Sequence, residues 1–160
     1  MDKIAGLFSF KGRANRLNYW ITGLLLIGLV LAGWFTGTLL SVLIHVGLSF
    51  GAWGLVLGLL VSAVAGTANT ARRLHDRNKS AWWLLLFVGV PGILRFALLL
   101  LDVSDGPSSV RTGISLILLP IGIWALVELG ILRGTEGPNR YGEDPLAADA
   151  SNSAPAPVVS

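Results

Sequence analysis

The sequence contains an uninterrupted stretch of 55 residues, from Leu17 to Ala71, that carries no Asp, Glu, Lys or Arg. A helix that crosses a bilayer needs about 20 apolar residues, so this stretch predicts two spans joined by a short turn at residues 45–48. Backbone groups in lipid have to be hydrogen-bonded internally, which favours helices over open strands. Two further apolar runs, each interrupted by one charge, predict two more spans. The predicted spans are residues 20–44, 49–70, 81–101 and 113–132.

The composition excludes a water-soluble globular protein. Only 13% of the 160 residues are charged and 53% are hydrophobic, whereas a soluble domain has about 25% charged residues. The chain has no cysteine, so disulfides, thiolate metal sites and cysteine nucleophiles are also excluded. We therefore predict an all-α integral membrane protein with four transmembrane helices in a small bundle. Residues 1–145 would form this single membrane domain, and the Ala/Ser/Pro-rich residues 146–160 a disordered cytoplasmic tail.

The distribution of basic residues predicts the orientation of the helices. Ten of the twelve Lys and Arg residues lie before the first predicted span, between the second and third spans, or after the fourth. Basic residues are retained on the cytoplasmic side of membranes. Both termini are therefore expected to be cytoplasmic in a multi-pass arrangement. This asymmetry explains the net charge of +3, which does not indicate a nucleic-acid partner.

A basic and aromatic segment between the second and third spans is the most distinctive motif of the chain. If the second helix continues into it, Asp76 lies four residues from Arg72 and three from Arg73, which are contact spacings on a helix. One interpretation is a positive-inside anchor followed by an interfacial Trp pair. The other is a cytoplasmic site for an anionic group, such as a phospholipid head group, or for a partner protein. The candidate site residues are Arg72, Arg73, His75, Asp76, Arg77, Trp82 and Trp83.

Small residues recur at intervals of four in the second predicted span and once in the first. Such stripes let neighbouring helices approach closely. The interpretation that we favour is packing within one bundle, although a homodimer seam would use the same surface. The residues are Gly33 and Gly37 in the first span, and Gly54, Gly58, Ser62 and Gly66 in the second.

Two charged residues fall within predicted spans. Arg95 lies in the outer half of the third span, where its long side chain is expected to extend outward to the interface. Glu128 lies near the inner end of the fourth span, and its depth differs from that of Arg95 by more than about 10 Å. A direct pair between the two is therefore not expected. The predicted partners of Glu128 are Arg72, Arg73 or Arg133.

Three segments together resemble one bacterial family. They are residues 8–20, which read FSFKGRANRLNYW, residues 72–83, which begin with RRLHD and end with SAWW, and residues 134–145, which read GTEGPNRYGEDP. In this order they resemble the bacterial inner-membrane family catalogued as domain of unknown function 805, over residues 5–145. The resemblance implies a small polytopic protein of the bacterial inner membrane, with no assigned activity and no catalytic residues to transfer. The motif positions outside the basic segment are Phe10, Gly12, Arg13, Arg16, Tyr19, Trp20, Asn139, Arg140, Tyr141, Gly142, Asp144 and Pro145.

The chain departs from this family pattern at two places. Glu143 stands where the last motif usually has Pro, and residues 102–112 look like an added polar loop between the last two spans. In a shorter family member with one span in this region, the last motif would lie on the opposite side. In this chain the basic residues place it inside.

Three functions are compatible with this arrangement. The favoured one is a non-enzymatic module whose basic and aromatic cytoplasmic face binds anionic lipid head groups or a partner protein. The alternative is a small transporter or channel subunit with a polar path near Glu128 and Asn69. An enzyme that uses His75 and Asp76 on a lipid-linked substrate is less favoured, because no motif places a nucleophile beside them. No cofactor or metal is expected, and the expected partners are the bilayer, anionic phospholipids, a membrane protein or a second copy of the chain.

Overall fold

The described residues fold mainly into helices. The computed structural model describes residues 6–43, 50–100 and 108–147. Within these ranges it contains no β-strand beyond one isolated bridge, so the all-α prediction is confirmed for them. The helices are α1, Arg16–Leu43; α2, Phe50–Asp76; α3, Val90–Leu100, which continues the π-helical turn Leu85–Gly89; and α4, Ser108–Ala125, which continues into the π-helical segment Leu126–Ile131.

Three helices are long and apolar enough to cross a membrane: α1, α2 and the helix that covers Ser109–Ile131. They coincide with the first, second and fourth predicted spans. The third predicted span, residues 81–101, contains the shorter apolar helix Leu85–Leu99. At 1.5 Å per residue this helix is about 22 Å long, less than the roughly 30 Å of a hydrocarbon core. Length and composition thus support three spans, and the count of four stays a prediction.

Two helices extend beyond the predicted spans. α1 begins at Arg16 because Asn15 caps it, and the Asn15 Oδ1 accepts a hydrogen bond from the Asn18 N–H at 2.8 Å. α2 continues to Asp76, which confirms the helical spacing of Arg73 and Asp76. Both extensions carry polar residues, which a search for apolar runs does not assign to a spanning helix.

The predicted polar loop over residues 102–112 does not include residues 108–112. Residues 108–112 belong to the first turns of α4, so this part of the prediction is wrong. Ser108 and Ser109 are residues that favour a helix start. The predicted tail, residues 146–160, begins within a helical turn at residues 145–147. The rest of the loop, the rest of the tail and the turn at residues 45–48 lie outside the described residues.

α1 and α2 pack with their backbones in contact. An added Cβ at Gly33 would lie 2.8 Å from the Gly54 carbonyl oxygen, and one at Gly58 would lie 3.0 Å from a backbone atom of α1. On the same side of α2, the Ser62 hydroxyl donates to a carbonyl oxygen of α1 at 3.3 Å. The predicted stripe of small residues therefore faces α1, which confirms the prediction of packing within one chain.

Burial is concentrated at one end of the bundle. Leu74, Phe87 and Leu129 form a small hydrophobic cluster there, close to polar side chains that are also buried. Along the rest of the helices many large apolar side chains are exposed, as expected of surfaces that face lipid. The candidate site is therefore expected at the buried end. The buried polar and charged residues of the described chain are Asn15, Asn69, Thr70, Arg73, Asp76 and Glu128.

Candidate functional site

Three parts of the chain meet around one buried carboxylate. They are the N-terminal segment, residues 8–20, the end of α2, and the C-terminal segment, residues 134–145. Asp76 is 3% exposed, and its Oδ1 accepts a hydrogen bond from the Arg13 Nε at 3.1 Å. Its Oδ2 forms an ion pair with Arg73, which lies one turn earlier on α2. Thr135 donates to the Asp76 carbonyl oxygen through its N–H at 2.8 Å and through its hydroxyl at 2.9 Å. We name Arg13, Arg73, Asp76 and Thr135 the polar cap.

Glycine is required beside the Asp76 carboxylate. A Cβ at Gly134 would overlap the carboxylate oxygens, so any larger residue would push the C-terminal segment away from α2. Arg13 holds the same segment from the other side. Its Nη1 donates to the Gly137 carbonyl oxygen at 2.6 Å, and its Nη2 donates to the Thr135 carbonyl oxygen. The polar cap thereby joins all three motif segments.

Arg73 uses each of its donor nitrogens within the protein. Its side chain is fully buried, and its Nε donates to the Leu129 carbonyl oxygen at 2.8 Å. Its Nη1 contacts Asp76 and the Ala14 carbonyl oxygen, and its Nη2 donates to the Leu132 carbonyl oxygen. Arg73 therefore ties α2 to the end of α4, and it could bind an external anion only if this network opened.

Consecutive carbonyl groups at the end of α4, those of residues 129–133, receive side-chain donors. The last carbonyls of a helix lack intrahelical partners and carry the negative end of the helix dipole. Besides the two bonds from Arg73, Trp20 Nε1 donates to residue 130 at 3.2 Å. Arg16 Nη1 donates to the carbonyl oxygen of residue 131 at 3.1 Å, and Arg77 Nη1 donates to the carbonyl oxygen of residue 133 at 2.5 Å. These four motif side chains therefore cap α4.

His75 packs against the C-terminal segment instead of pairing with Asp76. Its ring stacks on the Tyr141 ring at a centroid distance of 3.9 Å and an interplanar angle of 7°. Its Nδ1 lies 3.2 Å from the Gly12 carbonyl oxygen, which can only accept, so Nδ1 carries the proton in this contact. The Arg140 guanidinium lies over the Tyr141 ring at 4.7 Å. His75 and Asp76 thus bind different partners.

Glu128 is buried and holds two cations. Its Oε1 lies 3.0 Å from the Arg77 Nε and 3.0 Å from the Lys79 Nζ. Lys79 also lies over the Trp83 ring, 4.9 Å from its centroid. The turn at Asn78, which has a φ of 55°, ends α2 and leaves Lys79 beside Glu128. The observed ion pairs therefore differ from the predicted ones with Arg72, Arg73 or Arg133.

The remaining residues of the predicted basic and aromatic site have different surroundings. The Nε of Arg72 is buried and has no hydrogen-bond partner among the described residues. Trp83 packs edge-on against Trp124, with ring centroids 5.4 Å apart, whereas Trp82 is 77% exposed. Arg95, which is predicted as a charge within a span and not as part of this site, is exposed on α3. The basic and aromatic segment therefore contains buried side chains, such as Arg73 and Asp76, and the exposed side chain of Trp82.

The last motif folds into a tight loop beside the polar cap. Asn139 and Gly142 form an isolated antiparallel bridge with two hydrogen bonds of 3.0 Å, and Gly142 has a φ of +134°, which favours glycine. Asp144 closes the loop, because its carboxylate oxygens accept hydrogen bonds from the Leu146 and Gly137 N–H groups, each at 3.0 Å. These two backbone donors hold the pKa of Asp144 below its usual value.

Three further motif residues lie outside the polar cap. Phe10 is 45% exposed. Tyr19 is half-buried at the start of α1, where its ring is edge-on to the Trp20 ring at 5.9 Å. Pro145 begins the last described helical turn. These residues contribute to the same end of the bundle without joining its ion pairs.

A cavity of about 560 Å³ lies between the start of α1 and the C-terminal segment. The buried pair of the polar cap forms part of its wall. Arg16 and Arg133 also line the cavity and are exposed. In the described part of the chain, neither lies within ion-pairing distance of a carboxylate. Leu17 and Trp20 add an apolar wall, so the cavity combines unpaired charge with apolar surface.

A second cavity of about 180 Å³ lies between α1 and α2. Its lining is mostly apolar, and Trp20 lines both cavities. A Cβ at Gly23 would meet no atom within 4 Å, so the missing side chain leaves this groove open. Asn69 lines the smaller cavity but Glu128 lines neither of the two. These cavities therefore do not connect the two residues of the predicted polar path.

A family model described as protein of unknown function (DUF805) matches residues 7–143. The chain belongs to this family. Two curated relatives of this DUF805 protein come from Escherichia coli (strain K12). The uncharacterized protein YiiR is 34% identical over 153 residues, which is 86% of each chain. The inner membrane protein YhaH is 30% identical over 139 residues, which is 85% of this chain and 86% of YhaH. No solved structure matches the chain significantly.

Membership of the DUF805 family confirms the resemblance that the three motif segments predict. The name of YhaH and the three long apolar helices together indicate a protein of the bacterial inner membrane. In this DUF805 protein the three motif segments are also the ones that meet in the polar cap.

Several residues of this DUF805 site were not among the predicted candidates. Thr135 and Glu136 lie inside the last motif segment, and Arg133 directly precedes it, so the segment itself was the available signal. No pattern indicated that Arg16 and Arg133 share one cavity, because they come from opposite ends of the chain. Arg133 is predicted only as a partner of Glu128. The site residues outside the predicted candidates are Asn15, Lys79, Thr135, Glu136 and Leu146.

Proposed function

We propose that this DUF805 protein is a non-enzymatic membrane module that binds one phospholipid at the cytoplasmic end of its bundle. The observation that carries the proposal is the pair of cavities that share Trp20 as a wall. The larger has exposed arginines, and the smaller has an apolar lining. A phospholipid has the same division into a charged head group and apolar chains.

The two exposed arginines of the larger cavity are the proposed phosphate ligands. A guanidinium presents a planar fork of donors that suits phosphate oxygens. Arg16 donates one hydrogen bond to a carbonyl oxygen at the end of α4, which leaves its other nitrogens available. The Arg133 carbonyl oxygen accepts a hydrogen bond from Arg77 Nη1, and the Arg133 side chain is exposed. All three side-chain nitrogens of Arg73 are bound within the protein. We therefore assign the anion-binding role that was predicted for the basic segment to Arg16 and Arg133.

The proposed path of the acyl chain follows α1 toward the centre of the membrane. Arg16, Trp20 and Ile27 are separated by four and seven residues, a spacing that keeps them on one side of a helix. At 1.5 Å per residue the stripe is about 16 Å long. Trp20 and Ile27 both line the smaller cavity, and Gly23 between them leaves space. A chain that passes Trp20 would therefore lie in this groove.

The proposed topology has four crossings and both termini in the cytoplasm. Arg13 and Thr135 both bind Asp76, so the N-terminal and C-terminal segments share one end of the bundle. α4 also ends there, and the chain leaves the same end after α2. The region of α3 therefore has to carry the chain to the far end before α4 returns. The basic residues of these segments favour the cytoplasmic side.

Because the chain has no cysteine, single Cys substitutions can report this topology. In intact cells we expect a membrane-impermeant maleimide to label Ser104→Cys and not Ser80→Cys, since Ser80 follows the polar end of α2. Both positions should react once the membrane is permeabilised. Given that reaction, labelling of both positions or of neither in intact cells would contradict the four-span arrangement.

Replacing both cavity arginines should weaken phospholipid binding. In the double variant Arg16→Gln with Arg133→Gln we expect at least about a tenfold loss, because a hydrogen bond to a charged group contributes about 1.5–3 kcal/mol. The measurement is native mass spectrometry of the purified protein with a phospholipid of defined head group and chain length. Arg95→Gln removes an exposed arginine outside the cavity and is the matched control. Equal lipid occupancy in the two variants would overturn the proposed function.

The same measurement tests the apolar groove without a change of charge. A Leu at Gly23 would fill the smaller cavity, whereas Gly28 has equal space around its Cβ position and does not line the cavity. Gly23→Leu should lower lipid occupancy, and Gly28→Leu should not. A loss in both variants, or in neither, would show that this groove does not hold the acyl chain.

A further inference from the structure

We propose that the lipid bound at this site is an aminophospholipid, whose head group carries both a phosphate and a primary ammonium. The inference rests on the proposed function and specifies its ligand. It comes from the acidic residues of the larger cavity, with which a purely anionic head group cannot form an ion pair.

The larger cavity presents charges of both signs. Its lining includes three basic and three acidic side chains. Arg73 pairs with Asp76, and Arg13, which also pairs with Asp76, adds positive charge near Asp144. Arg16 and Arg133 remain for a phosphate, while Glu136, with Asp144 on the same loop, remains for a cation. A ligand that satisfies the whole set carries one negative and one positive group. A head group with phosphate alone would make no favourable contact with Glu136 and would be repelled by it.

The two carboxylates lie on one loop. Glu136 is exposed, and in the described ranges its carboxylate has no basic side chain within ion-pairing distance. Asp144 accepts hydrogen bonds from the Leu146 and Gly137 N–H groups, which keep it ionised at neutral pH. The Gly137 bond also closes the chain between the two acids, so both line the same cavity. This loop therefore offers negative charge beside the phosphate position.

The lining favours a primary ammonium over a quaternary one. A primary ammonium donates up to three hydrogen bonds, which carboxylates can accept. A quaternary ammonium donates none and is recognised by cages of aromatic rings. Trp20 alone is aromatic among the residues described as lining the cavity. Phosphatidylethanolamine therefore fits better than phosphatidylcholine, and better than phosphatidylglycerol, which lacks an amine.

The test offers these three phospholipids, with identical acyl chains and in equal amounts, to the full-length protein. Bound lipid is counted by native mass spectrometry. We expect phosphatidylethanolamine to bind about tenfold more tightly than either competitor, the effect of one additional charge-assisted contact. Glu136→Gln should abolish this preference without lowering phosphatidylglycerol binding. Glu143→Gln changes an exposed acid that does not line the cavity and should keep the preference.

The outcomes separate this inference from the proposed function. A preference for phosphatidylglycerol that is lost in the Arg16→Gln and Arg133→Gln double variant would overturn the amine and leave the phospholipid site standing. An ethanolamine preference that survives in Glu136→Gln would also overturn it. Binding of all three lipids independently of both arginines would overturn the site itself. Soluble glycerophosphoethanolamine should compete poorly, and equal competition would identify a soluble ligand in place of a lipid.

Discussion

Replacing Asp76 with Asn is expected to destabilise this protein severely. The substitution preserves the size of the side chain and removes the negative charge that Arg13 and Arg73 share. All three side chains are at most 4% exposed, so two guanidinium groups would remain buried without a counter-charge. Removing one partner of a buried ion pair costs about 3–5 kcal/mol.

Thermal unfolding of the purified protein in a single detergent, followed by circular dichroism, measures this effect. Glu143→Gln neutralises an exposed carboxylate of the same end of the bundle and should change the stability by less than about 0.5 kcal/mol. An Asp76→Asn variant that unfolds at the same temperature as Glu143→Gln would show that the polar cap does not stabilise the fold.

A single methyl group at Gly54 should force α1 and α2 apart. The added Cβ would overlap the carbonyl group of Gly33, and a backbone group cannot rotate away as a side chain can. Overpacking of a well-packed contact costs about 1–3 kcal/mol, and we expect Gly54→Ala to reach at least the upper end of this range because whole helices have to move.

Gly28→Ala is the matched control for this packing prediction. A Cβ at Gly28 would meet no atom within 4 Å, and Ala is favoured over Gly within a helix by up to about 1 kcal/mol. The control should therefore be as stable as the wild type or slightly more stable in the same unfolding measurement. Equal stability of Gly54→Ala and Gly28→Ala would show that the two backbones are not in contact.

The helices could be predicted because lipid imposes a simple rule on the chain. The charge-free stretch from Leu17 to Ala71 requires two long apolar helices, and α1 and α2 fill it. The ends of these helices were less predictable. They depend on the Asn15 cap and on the contacts of Asp76 with a distant segment. The π-helical segment at the end of α4 has no signal in an apolar pattern, because hydropathy does not distinguish hydrogen-bond registers.

The sequence predicts which segments form the candidate site, but not which residues within those segments contact each other. A count of basic residues treats Arg16 and Arg73 alike, yet Arg16 is exposed and Arg73 is buried. Arg16 makes one hydrogen bond to a distant carbonyl group, whereas all three side-chain nitrogens of Arg73 are bound, two of them to carbonyl groups of residues 129 and 132. The cavity likewise needs Arg133 beside Arg16. Such pairings follow from tertiary packing, which spacing along one chain does not encode.

The contacts of Arg13 also set an order of events during biosynthesis. Arg13 leaves the ribosome early, whereas the carbonyl groups that it binds, those of Thr135 and Gly137, are translated near the end. Arg73 and Asp76 can pair with each other, and Asp76 with Arg13, as soon as α2 is inserted, but the Leu129 and Leu132 carbonyl groups that Arg73 binds are still missing. Membrane insertion and closure of the charged end are thus separate steps, and a chain that ends before residue 129 would leave Arg13 and Arg73 without their carbonyl partners from the C-terminal part.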